Sequence, residues 1–241
     1  MKKILVDGNT AASNIAFKFS QVVPVYPITP STPMAENSSA MSASNKLNIW
    51  GENVTMQEMQ SEAGAVGALH GALLGGALAT TFTSSQGLLL MVPNMFKIAG
   101  EGLPAVFHVA ARAIASHSLS IFGDHSDVMA TRMTGFSLLS SANVQEAQDM
   151  ALCAHLLAIN HSFPVLHFFD GFRTSHEIQA IEEIDDEVLK SLVPANLDNL
   201  PFKKNRLNPQ SPLMYGTAQN PDVFFQNRQT RESRYDQIVP A

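Results

Sequence analysis

Two ionisable residues stand where their charge needs a physical reason. Glu62 lies in QSEAGA, at the head of a run of small and apolar residues, and Arg112 closes the apolar segment PAVFHVAAR. Between Met59 and Val109 the only charged residues are Glu62, Lys97 and Glu101. Burial would cost Glu62 its hydration, whereas a helix start would favour its charge. Two roles fit it: a capping carboxylate on an exposed first turn, or a buried acid that relays a proton or binds a cofactor. Arg112 also has two. Its guanidinium suits bidentate contact with a carboxylate or phosphate; the alternative is a surface cation whose stem packs on apolar neighbours.

The other chemistry-bearing side chains form no recognisable constellation. Eight histidines show neither HExxH nor HxH spacing. Asp124, His125 and Asp127 cluster in FGDHSD, but adjacent residues on one loop make a poor ligand set, so no metal site is expected on this chain. Cys153 sits in an apolar helical pattern and reads as a small core residue. As the one cysteine, it excludes a disulfide framework and any self-contained cysteine-held zinc or iron–sulfur site. GxxxxGK[ST], GxGxxG and GxSxG are absent, and GALLGG, inside a helical pattern, reads as close packing.

The elements that must position Glu62 and Arg112 alternate in type. Strand candidates are Val22–Tyr26, Asn53–Glu58, Ala77–Thr83, Pro104–Ala110, Gly135–Ser140 and Pro164–Phe169. Helix candidates are a segment starting at Ser31 or at Thr32 with Pro33 as first helical residue, Ser61–Gly75 with Ser61 as N-cap, LLLMVPNMFKIAG after the turn SSQG, and Val144–Asn160. Pro93 predicts a kink or break in the third helix. The alternation implies an α/β fold: three layers around a mostly parallel, doubly wound sheet. In such sheets ligands sit beyond the carboxyl ends of the strands, which puts PITPS, SSQG, AAR and DGFR on one rim. After Glu177 the pattern fades. The proline-rich remainder predicts an extended C-terminal tail, and Phe202, Phe224 and Phe225 favour a tail laid on protein over a disordered one.

At 241 residues the chain suits one large domain or two small ones. A net charge of −6 argues against nucleic-acid binding. Ala63–Phe82 is too rich in Ala and Gly to span a membrane, and the apolar run after the N-terminal lysines is too short for a signal peptide, so a cytoplasmic setting is expected. Charged residues are 15% of the chain, against ~25% in ordinary soluble domains. Half of them lie from Arg173 onward. The central half has too few charges to dress its own helices, and part of its surface is expected to be covered by other protein.

Seven blocks carry a resemblance that no single motif above would justify: DGNTAAS, YPITPSTPMAE, EMQSEAGAVGALHGAL, TFTSSQGLLLMVPNMFKIAGE, FHVAARAIASHSLSIFGDHSDVM, VLHFFDGFRTSHE and GTAQNPDVFFQ. In register over nearly the whole chain, they resemble the N-terminal, pyrimidine-binding domain of pyruvate:ferredoxin (flavodoxin) oxidoreductases. The resemblance implies a thiamine-diphosphate pyrimidine-binding domain over 1–180. An extended segment over 181–241 would pack on it or on further domains.

It also implies that Glu62 hydrogen-bonds the aminopyrimidine ring and holds the proton that activates the thiazolium carbon. Thr29 and Arg112 match the positions that hold the substrate carboxylate, here of pyruvate, and with Glu62 form the catalytic set. Pro27 and the turn residues Ser85, Gln86 and Gly87 are the remaining candidates for cofactor contact. The chain has GDH and VDGN but no GDG, and no CxxCxxC array. Magnesium, the diphosphate end of the cofactor, iron–sulfur clusters, coenzyme A and ferredoxin or flavodoxin are therefore expected at other domains of a dimeric or multi-domain assembly. A chain with the pyrimidine half alone is expected to be inactive and to bind the cofactor weakly. The alternatives are a truncated, non-catalytic remnant that keeps the fold and its interfaces, or half of another thiamine enzyme. The retention of Thr29, Glu62 and Arg112 together favours an origin in a working site.

Overall fold

The computed structural model describes residues 2–237 apart from 215 and 234. The expected tail therefore lies partly outside the described residues, at 215, 234 and 238–241. In chain order the elements are β1 (Lys3–Val6), α1 (Gly8–Lys18), β2 (Val22–Val25), α2 (Thr32–Ala43), β3 (Thr55–Glu58), α3 (Glu62–Leu74), β4 (Thr80–Thr83) and α4 (Ser85–Glu101). There follow β5 (Val106–Ala111), α5 (Ser126–Thr131), β6 (Ser137–Ser141), α6 (Val144–His161), β7 (Val165–Asp170), β8 (Gln179–Glu182), α7 (Asp186–Ser191) and α8 (Pro221–Glu232).

Four strands form a parallel ladder in the order β4-β5-β7-β6, and β2 pairs with β3, also in parallel. One parallel bridge, Val22 to Ala79, joins the two parts, so the strands lie in the order β3-β2-β4-β5-β7-β6. Pro24 explains why the junction is thin: it has no N–H for the ladder. Thr81 Oγ donates to the Pro24 carbonyl instead, at 2.7 Å. The short β1 pairs antiparallel with β8, which straddles residue 180.

Every residue of β5 is buried, as is β7 up to Phe169, as expected of central parallel strands covered on both faces. Phe107, Val109, Ala111, Leu166 and Phe168 point into a core made with α3 and α4. Phe82, Ala110 and Phe169 point the other way, into the core shared with α1, α2 and α6. Helix α1 packs on α6 and α2, and α3 on α4, which completes the three-layer, doubly wound α/β architecture. Since α2 leaves β2 on one face and α4 leaves β4 on the other, the strand order reverses between β2 and β4. A crevice beyond the carboxyl ends opens at such a switch point.

Several expectations are corrected. Helix α4 runs unbroken through Pro93, whose ring is exposed on its outer side, and Ser85, Gln86 and Gly87 are its first turn rather than a separate one. Cys153 faces outward on α6. The tail is not extended throughout: α8 is helical, with Phe224 and Phe225 exposed. The part before it does lie on protein. Leu197, Leu200 and Phe202 join the α1–α6 core, Trp50 Nε1 donates to the Pro194 carbonyl (3.0 Å), and Leu207 N–H to that of Leu74 (2.8 Å). Among the described residues no helix is long and apolar enough to cross a membrane.

Candidate functional site

Glu62 opens α3, where Ser61 Oγ caps the helix by accepting from Gly64 N–H at 3.1 Å. Glu62 is buried rather than set on an exposed first turn: the residue is only 6% exposed. Its charge lies at the favourable end of the helix. Among the described residues its carboxylate accepts no hydrogen bond. It leans over the first turn of α4, at a spot kept open by Gly87: a Cβ there would lie 2.6 Å from Glu62 Oε1 and 2.7 Å from Thr83 Oγ1. Thr83 Oγ1 is itself buried without a partner.

Arg112 follows β5 directly and is also 6% exposed. One terminal nitrogen donates to the Thr29 carbonyl at 2.7 Å and the other to Gln86 Oε1 at 3.3 Å, while Nε is buried without a partner. Burial pulls its pKa below the ordinary arginine value, and the negative charges of Asp127 and Glu62 act against that shift. The crevice therefore brings Thr29, Glu62, Gln86, Gly87 and Arg112 together.

The remaining expected residues are placed differently. The part of Thr29 that touches Arg112 is its carbonyl, while the residue as a whole is exposed. Pro27 faces a cavity of about 450 Å³ with Ala35, Glu36, Met56 and Glu58, and neither Glu62 nor Arg112 lines it. Ser85 is buried, with φ at +47°, a left-handed conformation that costs a non-glycine residue energy. Its hydroxyl reaches the Ala113 carbonyl at 2.7 Å.

Sequence reasoning missed Asp127 as a builder of the site. Its fully buried carboxylate accepts from Ser85 N–H (2.8 Å), Arg112 N–H (3.1 Å) and Val128 N–H (2.7 Å). Burial pushes its pKa up and the three amides pull it back. The rest of FGDHSD is spent locally: Asp124 accepts from Ser126 N–H (2.6 Å), and His125 Nε2 lies 2.7 Å from Asp170 Oδ1. Among the described residues no three His, Cys, Asp or Glu side chains are arranged to hold a metal ion.

A second polar group lies deeper, on the α6 side of the sheet. His155 Nε2 is 3.2 Å from His108 Nε2, His108 Nδ1 is 2.9 Å from His167 Nδ1, and His167 Nε2 is 2.7 Å from Ser141 Oγ. Ser141 Oγ donates onward to the Glu146 carbonyl at 3.1 Å. Each neutral imidazole carries one donor and one acceptor. The bonds can therefore run in one direction, from His155 through His108 and His167 to Ser141, with every facing pair matched. Burial pushes His155 and His167 down to about 3 and holds His108 well below the ordinary imidazole value.

Comparison with known proteins gives this geometry a context. Residues 14–240 match the family model described as pyruvate flavodoxin/ferredoxin oxidoreductase, thiamine diphosphate-binding. The chain is 57% identical over 235 residues to the pyruvate:ferredoxin oxidoreductase of Moorella thermoacetica, and 56% identical over 237 residues to the pyruvate-flavodoxin oxidoreductase of Klebsiella pneumoniae. Each alignment covers 98% of this chain and 20% of the relative, so the chain spans about a fifth of the length of the curated relatives it matches. A solved 2-oxoglutarate:ferredoxin oxidoreductase from Magnetococcus marinus superposes with a TM-score of 0.74 over 98% of this chain and 45% of that one. At 17% identity this likeness is one of fold.

Proposed function

The chain belongs to the thiamine-diphosphate-binding family of pyruvate flavodoxin/ferredoxin oxidoreductases, and from that premise we propose that it forms the pyrimidine-binding half of the active site of such an enzyme. The reaction would be the oxidative decarboxylation of pyruvate to acetyl-CoA, with electrons passed to ferredoxin or flavodoxin. The observation that carries the reading is Glu62: a carboxylate buried in the switch-point crevice, with no partner of its own among the described residues, beside Arg112. A carboxylate that is mostly buried, makes no hydrogen bond of its own among the described residues and lies within electrostatic reach of Arg112 is placed to accept from a ligand with a donor to offer. Gly87 leaves the Glu62 carboxylate its place over the first turn of α4, and the unpartnered Thr83 Oγ1 and Arg112 Nε beside it suit a polar ligand and a small anion.

In this reading thiamine diphosphate supplies the electron sink for cleavage next to the 2-oxo carbon. Glu62 holds a proton against a nitrogen of the pyrimidine ring, a task suited to a carboxylate in a dry site. Arg112 and the hydroxyl of Thr29 bind the substrate carboxylate, Gln86 holds the guanidinium in place, and Gly87 leaves Glu62 its position over the helix turn. Ser85 acts through the first turn of α4, where its N–H meets Asp127 and its hydroxyl the Ala113 carbonyl.

Magnesium, the diphosphate end, the iron–sulfur clusters and coenzyme A belong to other parts of a cytoplasmic, dimeric or multi-domain enzyme. The outer side of α3 is a surface on which those parts would rest. Ala63, Gly67, Gly71 and Gly75 are exposed there at four-residue spacing, and nothing lies within 4 Å of a Cβ built at Gly67 or Gly71. Calorimetric titration of the isolated chain is expected to give weak or no binding of thiamine diphosphate. Tight, magnesium-dependent binding would contradict a half-site.

A further inference from the structure

Arg112 is a long side chain at the end of a strand, and only two hydrogen bonds hold its guanidinium. One bond goes to a carbonyl in an exposed loop and one, at 3.3 Å, to a glutamine. The backbone beneath it is tied more closely. Asp127 Oδ2 accepts from the N–H of Arg112 and from that of Ser85, so one oxygen joins the end of β5 to the first turn of α4. Asp127 Oδ1 accepts from Val128 N–H within α5. The segment after Arg112 is tied to α4 twice more, by Ser85 Oγ to the Ala113 carbonyl and by Gln86 Nε2 to the Ala115 carbonyl at 3.1 Å. A carboxylate serving only as a cap for α5 would need the third amide alone.

We propose that Asp127 is the positioning residue for Arg112: through its carboxylate it fixes together the strand end that carries the guanidinium and the helix turn that carries Gln86 and Gly87, and so sets the carboxylate-binding side of the crevice. The inference rests on the reading of Arg112 given above and adds a residue that touches neither substrate nor cofactor. Chemistry singles out a carboxylate here. All three contacts are N–H donors, and only an ionised acid offers acceptors on both oxygens. Asparagine would turn an NH2 against Val128 N–H or against the Ser85 and Arg112 pair.

The test uses the complete enzyme that carries this chain, with Asp127→Asn, Arg112→Ala and the double variant. Asp127→Asn is expected to raise KM for pyruvate about tenfold, in line with loss of a charge-assisted bond, and to change kcat less. In the Arg112→Ala background it is expected to add less than twofold, because coupled residues are non-additive. Full additivity, or an unchanged KM for Asp127→Asn beside a raised KM for Arg112→Ala, overturns the proposal and leaves the reading of Arg112 intact. An unchanged KM for Arg112→Ala overturns that reading itself. Hydrogen exchange in the unsubstituted enzyme gives a second readout that needs no variant to fold. The amides of Ser85 and Arg112 are expected to exchange as slowly as those in the middle of β5. Exchange at the rate of the exposed loop around Leu119 would refute the clamp.

Discussion

The crevice and the histidine chain are both polar groups sunk in an apolar α/β core, yet they are finished in opposite ways. From His155 to Ser141 each hydrogen-bonding nitrogen facing another group has a matched partner within the chain. In the crevice Glu62 has no partner among the described residues, and Thr83 Oγ1 and Arg112 Nε are unpartnered. A buried polar group is costly unless satisfied. The closed network therefore contributes to the fold, whereas the open one keeps hydrogen-bonding capacity that a ligand can use. Burial and residue type do not separate the two regions; the bookkeeping of donors and acceptors does.

Substitutions can break that contrast, beginning where the effect is largest. Glu62→Gln in the complete enzyme is expected to cut turnover by about 10²–10⁴-fold, the usual worth of positioned proton transfer, with melting nearly unchanged. A large loss of stability at normal rates would make Glu62 part of the closed class. His108→Leu is the mirror experiment. It strands the facing nitrogens of His155 and His167, and two unsatisfied groups should cost about 3 kcal/mol in denaturant unfolding. Activity per folded molecule should hold.

Acid probes the same chain without substitution. The folded-state values of these histidines lie below that of an unfolded histidine, ~6.5, so their contribution is complete above that pH and is lost as pH falls toward 3. Between pH 7 and pH 5 the loss should be on the order of 2 kcal/mol for an imidazole that must stay neutral. A flat stability profile over that range would show that the chain accepts a proton freely. Arg112→Ala should raise KM for pyruvate about tenfold, the worth of a charge-assisted bond, with a smaller effect on kcat. Gly87→Ala sharpens the geometry by placing a methyl group 2.6 Å from Glu62 Oε1. A fall in rate of several-fold with intact folding is expected, because misplacing a catalytic group is costly in rate.

Much of the scaffold was legible. The strands β2, β5 and β7 stand out as apolar runs because they lie within the sheet and are buried, Ser61 marks α3 by its capping bond, and Ser31 with Pro33 marks the start of α2, though Ser31 makes no side-chain capping bond there. Helix α1 was not legible. GNTAASNIAFK mixes small and polar residues, and it is helical because Ala11, Ala12, Ile15 and Ala16 pack into the core. The β1–β8 pair is short, and its members find each other across the whole domain. Pro93 does not break α4, which runs from Ser85 to Glu101 with the proline on its exposed face.

At the site, Glu62 and Arg112 were visible as isolated charges in apolar surroundings. Asp127 was not, because its three partners come from three separate elements. Nor was the histidine chain: His108 and His167 meet through the register of β5 on β7, which periodicity does not encode. Charge scarcity locates an unusual residue, and only the fold says what it faces.

The central claim is that the Glu62 carboxylate is held open for the pyrimidine ring. A structure of the complete enzyme with thiamine diphosphate bound tests it most directly. The account predicts a Glu62 oxygen about 2.6–3.2 Å from a ring nitrogen, above Gly87 and beside Arg112. A ring bound elsewhere, with Glu62 turned to water or paired with another protein group, would contradict it.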